Sequence, residues 1–577
     1  MSEKQGKIVG VSGNMLTVEF SAAVSQNEVA YVLVGKEKLK CEVIRVRGNR
    51  ADLQIFESAN GIGIGDTVEF TGQRLSVELG PGLLKSIYDG LQNPLVLLAE
   101  KSGFFLERGL YLNALDRESR WDFTPIAKAG DKVVAGDRIG SVPEGMFTHY
   151  IMAPFALRGE WTLRSVAPAG EYRVTDAVAE CVNEDGETKS ITMLQEWPVK
   201  VPIPDYAEKM LPHETLITGT RSIDTFFPVA RGGTFCTPGP FGAGKTVLQH
   251  GLSQNAEVDI VVIAACGERA GEVVEILRTF PHLEDPRTGR TLMDRSIIIC
   301  NTSSMPVAAR EASIYTAVTV AEYYRQMGLH TLLLADSTSR WAQALREMSG
   351  RLGEIPGEEA FPAYLESRVA AFYERAGLVR LRSGEIGSVT IGGAVSPAGG
   401  NFEEPVTQAT LKVVGCFLGL SRRRSDARRY PAIDPLDSWS KYTSLVDAKE
   451  LEAARAILAR GDEVSKMMRV IGEDGTTVDD FLVYLKSEFL DYVYLQQNTF
   501  DDVDCAVSRD RQDFVFKQVL EVLKSYFEFT EKSQAHSYFM QLRQLFMDWN
   551  YIRMDDPEFA RQQENIRAKI GEALRHV

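Results

Sequence analysis

The stretch Gly239-Pro240-Phe241-Gly242-Ala243-Gly244-Lys245-Thr246 constrains the fold more than any other part of the chain. It fits G-x-x-x-x-G-K-[ST] without deviation. In such a loop the glycines let backbone N–H groups turn inward onto phosphate oxygens, the lysine reaches the terminal phosphates, and the final hydroxyl coordinates magnesium. The loop has to leave a strand and open a helix. Gly232-Gly233-Thr234-Phe235-Cys236-Thr237 supplies a plausible strand, and Val247-Leu248-Gln249-His250 a helix whose N-terminal dipole favours an anion.

A magnesium–nucleotide site also needs a carboxylate at the end of a neighbouring strand. Leu332-Leu333-Leu334-Ala335-Asp336 ends in one, so Asp336 is the candidate to hold Mg2+ directly or through water. The next residue is Ser337, not glutamate, so a base for the attacking water has to come from elsewhere. The apolar run Asp259–Cys266 continues into Gly267-Glu268-Arg269, and the carboxyl ends of parallel strands face the ligand crevice. Glu268 is therefore the candidate base. Arg269 is a candidate to steady its neighbours or sense the terminal phosphate, and Arg340, shortly after Asp336, to approach the phosphates. Position alone leaves a surface ion pair of Glu268 with Arg269, and a solvated Arg340, as open alternatives.

At 577 residues the chain is too long for one hydrophobic core. Period-two alternation over residues 1–75 predicts an N-terminal β-barrel, and residues 76–112 read as a connector. Residues 113–190 read as a β-rich inserted domain. Its Gly-Asp turns around Lys132-Val133-Val134 resemble the hammerhead of biotinyl and lipoyl modules, but no lysine stands at the hairpin tip and no carrier role is expected. Residues 191–435 alternate strands with helices, among them Ala309–Met327, as a parallel-sheet α/β domain requires. Gly392–Gly400 reads as a tight loop. Residues 436–577 read as helical, with Phe516, Val519, Leu520 and Leu523 on one face.

Net charge is −15, which argues against a nucleic-acid partner. The seven cysteines include no CxxC pair, fit a reducing compartment and read as buried small hydrophobes. No secretory signal is expected at the N-terminus, and no apolar run approaches the ~18–20 residues that span a bilayer. The expectation is a cytoplasmic protein, peripheral to any membrane it serves.

The residues carry a family resemblance over essentially the whole length. The chain resembles the catalytic A subunits of the rotary V-type/A-type ATPases of bacteria and archaea. The most specific stretches are Gly239–Thr246, Cys266–Arg269, Asn301–Glu311, Ala335–Trp341 and Pro356–Glu359 with Pro362–Leu365. The inserted segment separates it from F-type β subunits. The resemblance implies a multidomain chain: an N-terminal β-barrel, a β-rich inserted (bulge) domain, a RecA-like P-loop domain and a C-terminal helical domain. It implies ATP/ADP and Mg2+ as ligands, and hydrolysis or synthesis of ATP coupled to H+ or Na+ transport through partner subunits. Those partners are B subunits alternating with it in an A3B3 ring and supplying an arginine in trans, with central-stalk and peripheral-stalk subunits. By motif match Lys245 and Thr246 bind phosphate and magnesium, Asp336 the magnesium, and Glu268 the water.

Two departures stand out. Ala243 occupies a position where the family often has a cysteine, so a redox switch in the loop is not expected. Tyr430–Ser438 reads more like an F-type β subunit, which makes Tyr430 a candidate to pack on adenine. Phe500 is a second candidate, with ordinary core packing open for both. Other motors on the same core (an F-type β subunit, a secretion-system ATPase, an RNA-translocating helicase) and a nucleotide-binding subunit without turnover are the competing readings. The inserted segment, the helical tail, the negative charge and the complete set Lys245, Thr246, Asp336 and Glu268 disfavour them.

Overall fold

Alternation in the first strands sends one face of each inward, where Ile8, Leu16, Val18, Val32, Leu53 and Val68 are fully buried together. The strands Lys4–Ser12, Met15–Phe20, Arg50–Ile55, Glu37–Arg47, Glu28–Val34 and Thr67–Arg74 follow one another, in that order, around a closed barrel. Each neighbouring pair is antiparallel. Closure leaves no exposed strand edge to pair with another chain.

The computed structural model describes residues 4–103 and 107–573. Residues 1–3 of the expected barrel, 104–106 of the expected connector and 574–577 of the expected helical tail lie outside the described residues. The described chain divides into two units: residues 1–212, 258–395 and 403–413, and residues 213–257, 396–402 and 414–577. The residues of the α/β core are shared between them.

The first unit holds the barrel, the inserted domain and a parallel sheet. The inserted domain has two four-stranded antiparallel sheets and two hydrophobic clusters that each draw on both sheets, one around Trp161, Leu163 and Ile139 and the other around Phe123, Val142, Ile151 and Val178. The parallel sheet runs Ile386–Val395, His330–Asp336, Ile260–Glu268, Ser296–Thr302 and Ile87–Tyr88. Its central strands are buried along nearly their whole length, which is why they read as continuous apolar runs. Helix Val307–Arg325 is buried throughout.

Two segments depart from the sequence reading. The connector supplies a sheet strand, Ile87–Tyr88, and Ser76–Leu79 pairs with Gln195–Pro198. Gly392 to Val395 end a strand rather than forming a loop, and the turn follows at Ala398–Gly400. Glycine is required there by packing: a Cβ on Gly393 would lie 2.0 Å from Tyr373 Oη.

The second unit contains the short strand Thr234–Pro238, parallel to Cys416–Phe417, and the helix Lys245–Asn255. Its C-terminal part is helical: Ala448–Ile471, Val478–Leu490, Arg509–Lys524, Lys532–Asn550 and Pro557–Gly571. Phe516, Val519, Leu520 and Leu523 are all buried there. Asp447, Thr477 and Asp556 cap three of these helices by accepting from backbone N–H groups of the first turn. Among the described residues no helix is long and apolar enough to cross a membrane. Six cysteines are buried and Cys505 is half-buried, all with free thiols.

Candidate nucleotide site

The phosphate loop joins the end of strand Thr234–Pro238 to helix Lys245–Asn255. Gly242 and Gly244 take positive φ of 80° and 84°, the left-handed conformation that glycine adopts without strain. Gly239 is fixed by a close approach, since a Cβ there would lie 2.6 Å from Leu420 Cβ. Lys245 opens the helix, and its Nζ donates to Gly239 O at 2.7 Å and Pro240 O at 3.4 Å. Thr246 is half-buried in the first helical turn, Ala243 is buried, Pro240 is half-buried, and Phe241 stands 80% exposed.

Beside the loop lies a cavity of about 470 Å3. Gly242, Gly244, Tyr430 and Phe500 all line it. The Tyr430 ring packs on the loop, with Cε1 within 3.5 Å of where a Gly244 Cβ would stand. Its hydroxyl is 3.0 Å from Ser425 Oγ, which donates to Gly242 O at 3.1 Å. Tyr430 is 41% exposed and Phe500 87% exposed, so neither ring belongs to a packed core.

Behind this cavity is a buried group with no motif to announce it. Arg221 pairs with Asp504, both almost wholly buried, and donates through Nε to Tyr494 O at 3.0 Å. Gln497 Oε1 accepts from Arg221 N at 2.8 Å, and Gln497 N donates to Tyr430 O at 2.9 Å. Removing one member of such a pair strands a buried charge, at a cost of about 3–5 kcal/mol. The pair therefore holds the wall that carries Tyr430 and residues 496–505. No signal in the sequence joins residues so far apart.

The first unit carries the other candidate residues. Glu268 ends strand Ile260–Glu268, and Asp336, 7% exposed, ends strand His330–Asp336. Ser337 caps the following helix Thr338–Arg351, its Oγ accepting from Arg340 N at 3.4 Å. The half-buried Arg340 also reaches Gln343 Oε1 at 3.3 Å. Gly267, at φ 73°, lets two arginines close in: a Cβ there would be 2.8 Å from Arg310 Cδ and 2.9 Å from Arg340 Cβ. Arg269 is the exposed N-cap of helix Ala270–Thr279.

Burial raises the Glu268 carboxyl above the usual carboxylate range, and the Glu272 carboxyl, which also hydrogen-bonds it, raises it further. The Ser337 hydroxyl and Arg340 pull it back only in part. The sequence reading missed Glu272. Its position is visible only once Arg269 is known to start a helix, which puts Glu272 in the first turn. Cys266, beside this group, is a buried thiol pushed up to about 12 by desolvation, with Sγ 3.2 Å from Ser313 Oγ. It is not a nucleophile.

Magnesium fits the donor types. It is a hard cation that keeps several waters and takes one or two protein oxygens beside the phosphates. The Thr246 hydroxyl and the Asp336 carboxyl are such oxygens.

Four family models match the chain. They are the ATP synthase alpha/beta family β-barrel domain over residues 8–72 and the barrel-sandwich domain over 112–200. The nucleotide-binding domain of the same family matches residues 219–440, and the C-terminal domain of V and A type ATP synthase matches 449–531. A V-type ATP synthase alpha chain of Treponema denticola is 63% identical over 572 residues, covering 99% of this chain and 97% of that one. V-type ATP synthase alpha chain 1 of Treponema pallidum is 63% identical over 576 residues, covering 100% and 98%. Among solved structures, the assembled ATPase EscN of the enteropathogenic E. coli type III secretion system matches with a TM-score of 0.63 at 20% identity. It covers 89% of this chain and 100% of that one, a likeness of fold alone.

Proposed function

The chain belongs to the V-type ATP synthase alpha-chain family, and from that premise we propose which of its residues carry the chemistry. It is the catalytic ATP-binding subunit of a V/A-type rotary ATPase, coupling ATP hydrolysis or synthesis to ion transport. One observation carries the residue assignment. A complete phosphate loop with Lys245 at a helix start occurs in the same chain as a half-buried strand-end carboxylate of raised proton affinity, Glu268.

Backbone N–H groups of Gly239–Thr246 and the Lys245 ammonium bind the phosphates, and the Tyr430 and Phe500 rings hold the base. Glu268 orients the attacking water and takes its proton as the oxygen bonds to the γ-phosphorus in line, while the bond from that phosphorus to the β–γ bridging oxygen breaks and ADP leaves. Lys245, with an arginine from the B subunit, stabilises the charge spread over the transferring group. Arg269 and Arg340 hold Glu268 and the phosphates in register. Thr246 and Asp336 would hold magnesium, which when bound would neutralise phosphate charge. The chain alternates with B subunits in an A3B3 ring, joins central- and peripheral-stalk subunits, carries H+ or Na+ coupling through them, and meets the membrane only through the partner sector. The working segments are those given above, at 1–75, 76–112, 113–190, 191–435 and 436–577.

Partner dependence tests this reading. ATP turnover should rise by about a thousandfold when the purified chain is assembled with its B subunit, as a trans arginine requires. Equal turnover by the chain alone would remove the shared site.

The pH profile tests the base. Glu268 works unprotonated, so kcat/KM should fall as pH drops through its raised pKa. Glu272→Gln removes the neighbouring carboxylate that raises it, and the acidic limb should move to lower pH. An unmoved limb would assign the titration to another group.

A further inference from the structure

Strand Ile260–Glu268 runs in register with Ser296–Thr302 from Val261 opposite Ser296 to Cys266 opposite Asn301. The register then slips: Glu268, not Gly267, stands opposite Thr302. Gly267 is therefore an extra residue in the strand, a bulge one position before the carboxylate. Successive strand side chains point to opposite faces, so one extra residue sets the face that Glu268 takes. A bulge re-aims a side chain, but it needs something to hold its shape.

Arg310 holds it from three sides. It lies in the first turn of helix Val307–Arg325 and is only 8% exposed. Its stem covers the bulge, where a Cβ on Gly267 would meet Arg310 Cδ at 2.8 Å. Its carbonyl accepts from Cys266 Sγ at 3.4 Å, just before the bulge. Its Nη2 donates to Ser303 O at 2.9 Å and to Met305 O at 3.4 Å, which clamps the turn after the neighbouring strand. Ser303 N in turn donates to Glu268 O at 2.9 Å, just after the bulge. The guanidinium is thus one residue removed from the backbone of Glu268.

We propose that Arg310 is a positioning residue for hydrolysis: it fixes the Gly267 bulge and, through Ser303, the backbone of Glu268, and so sets where that carboxylate stands. This rests on the reading of Glu268 as the base.

The test is a double-mutant cycle on the assembled enzyme. Arg310→Met keeps an unbranched stem against Gly267 and loses the donors to Ser303 and Met305. Arg310→Lys keeps the stem and one charged donor. Arg310→Met should lower kcat by about a hundredfold, the scale of a small misplacement of a reacting group. KM for ATP should stay within about twofold, since no contact with bound ATP is removed. Arg310→Lys should recover about tenfold of the loss. In a Glu268→Gln background, followed by single-turnover hydrolysis, Arg310→Met should cost less than about twofold more, because the base it positions is already gone. Losses that multiply in the double variant overturn the proposal, since a merely structural arginine gives that result. A raised KM with unchanged kcat overturns it too, as does Arg310→Lys no better than Arg310→Met. If Arg310→Met fails to assemble, Arg310→Lys runs the same cycle and multiplied losses there overturn the proposal. Near-wild-type turnover by Glu268→Gln alone is a separate outcome: it removes the base reading, and the proposal falls with it.

Discussion

Glu268→Gln lowers ATP turnover of the assembled enzyme by roughly a hundred- to ten-thousandfold and leaves ATP affinity nearly unchanged. The amide keeps the size and the strand-end position of the carboxylate but cannot take a proton from water. The native carboxyl is poised for that task by its surroundings: burial and Glu272 raise its proton affinity, while Ser337 and Arg340 keep it from rising further. A base nearer neutrality removes a proton more readily from water and stays ionised at working pH. Steady-state phosphate release beside equilibrium nucleotide binding checks both halves. Turnover within about tenfold of wild type would take the base role away from Glu268.

Lys245→Ala should cost more, because it removes both binding and transition-state stabilisation. The Lys245 ammonium sits on the carbonyls of Gly239 and Pro240, at the mouth of the Gly239–Thr246 loop. Without it the charge that spreads over the transferring group loses its fixed cation. Turnover should fall by about a thousandfold or more, and ATP affinity by about tenfold. Lys245→Arg should not restore turnover, since a planar guanidinium cannot replace a compact ammonium in so tight a loop. The readout is the same pair of assays. Retained turnover in Lys245→Ala would place hydrolysis on another chain.

Much of this architecture is written locally. The phosphate loop is legible because Gly242 and Gly244 need positive φ, which few residues supply without strain. The strands ending at Glu268 and Asp336 are legible because burial on both faces forces continuous apolar runs. The tail is legible from the spacing of Phe516, Val519, Leu520 and Leu523.

What stayed hidden depends on distant pairing. Ile87–Tyr88 is too short to show a period, and only its partner Ile298–Ile299 makes it a strand. Gly392 and Gly393 read as loop because glycine is a common loop residue, yet Tyr373 packs so closely that nothing larger fits at 393. Arg221 and Asp504 are ordinary charges in the sequence and become a buried pair only when the helical region folds onto the start of the second unit.

The most direct measurement of catalysis by this chain is the identity of the nucleotide it holds. Assembled enzyme is mixed with less ATP than it has sites, quenched within one turnover, and its bound nucleotide extracted. Wild type should yield ADP and phosphate, while Glu268→Gln should hold ATP uncleaved. ADP formed by Glu268→Gln at the wild-type rate would contradict the assignment of hydrolysis to this chain's Glu268.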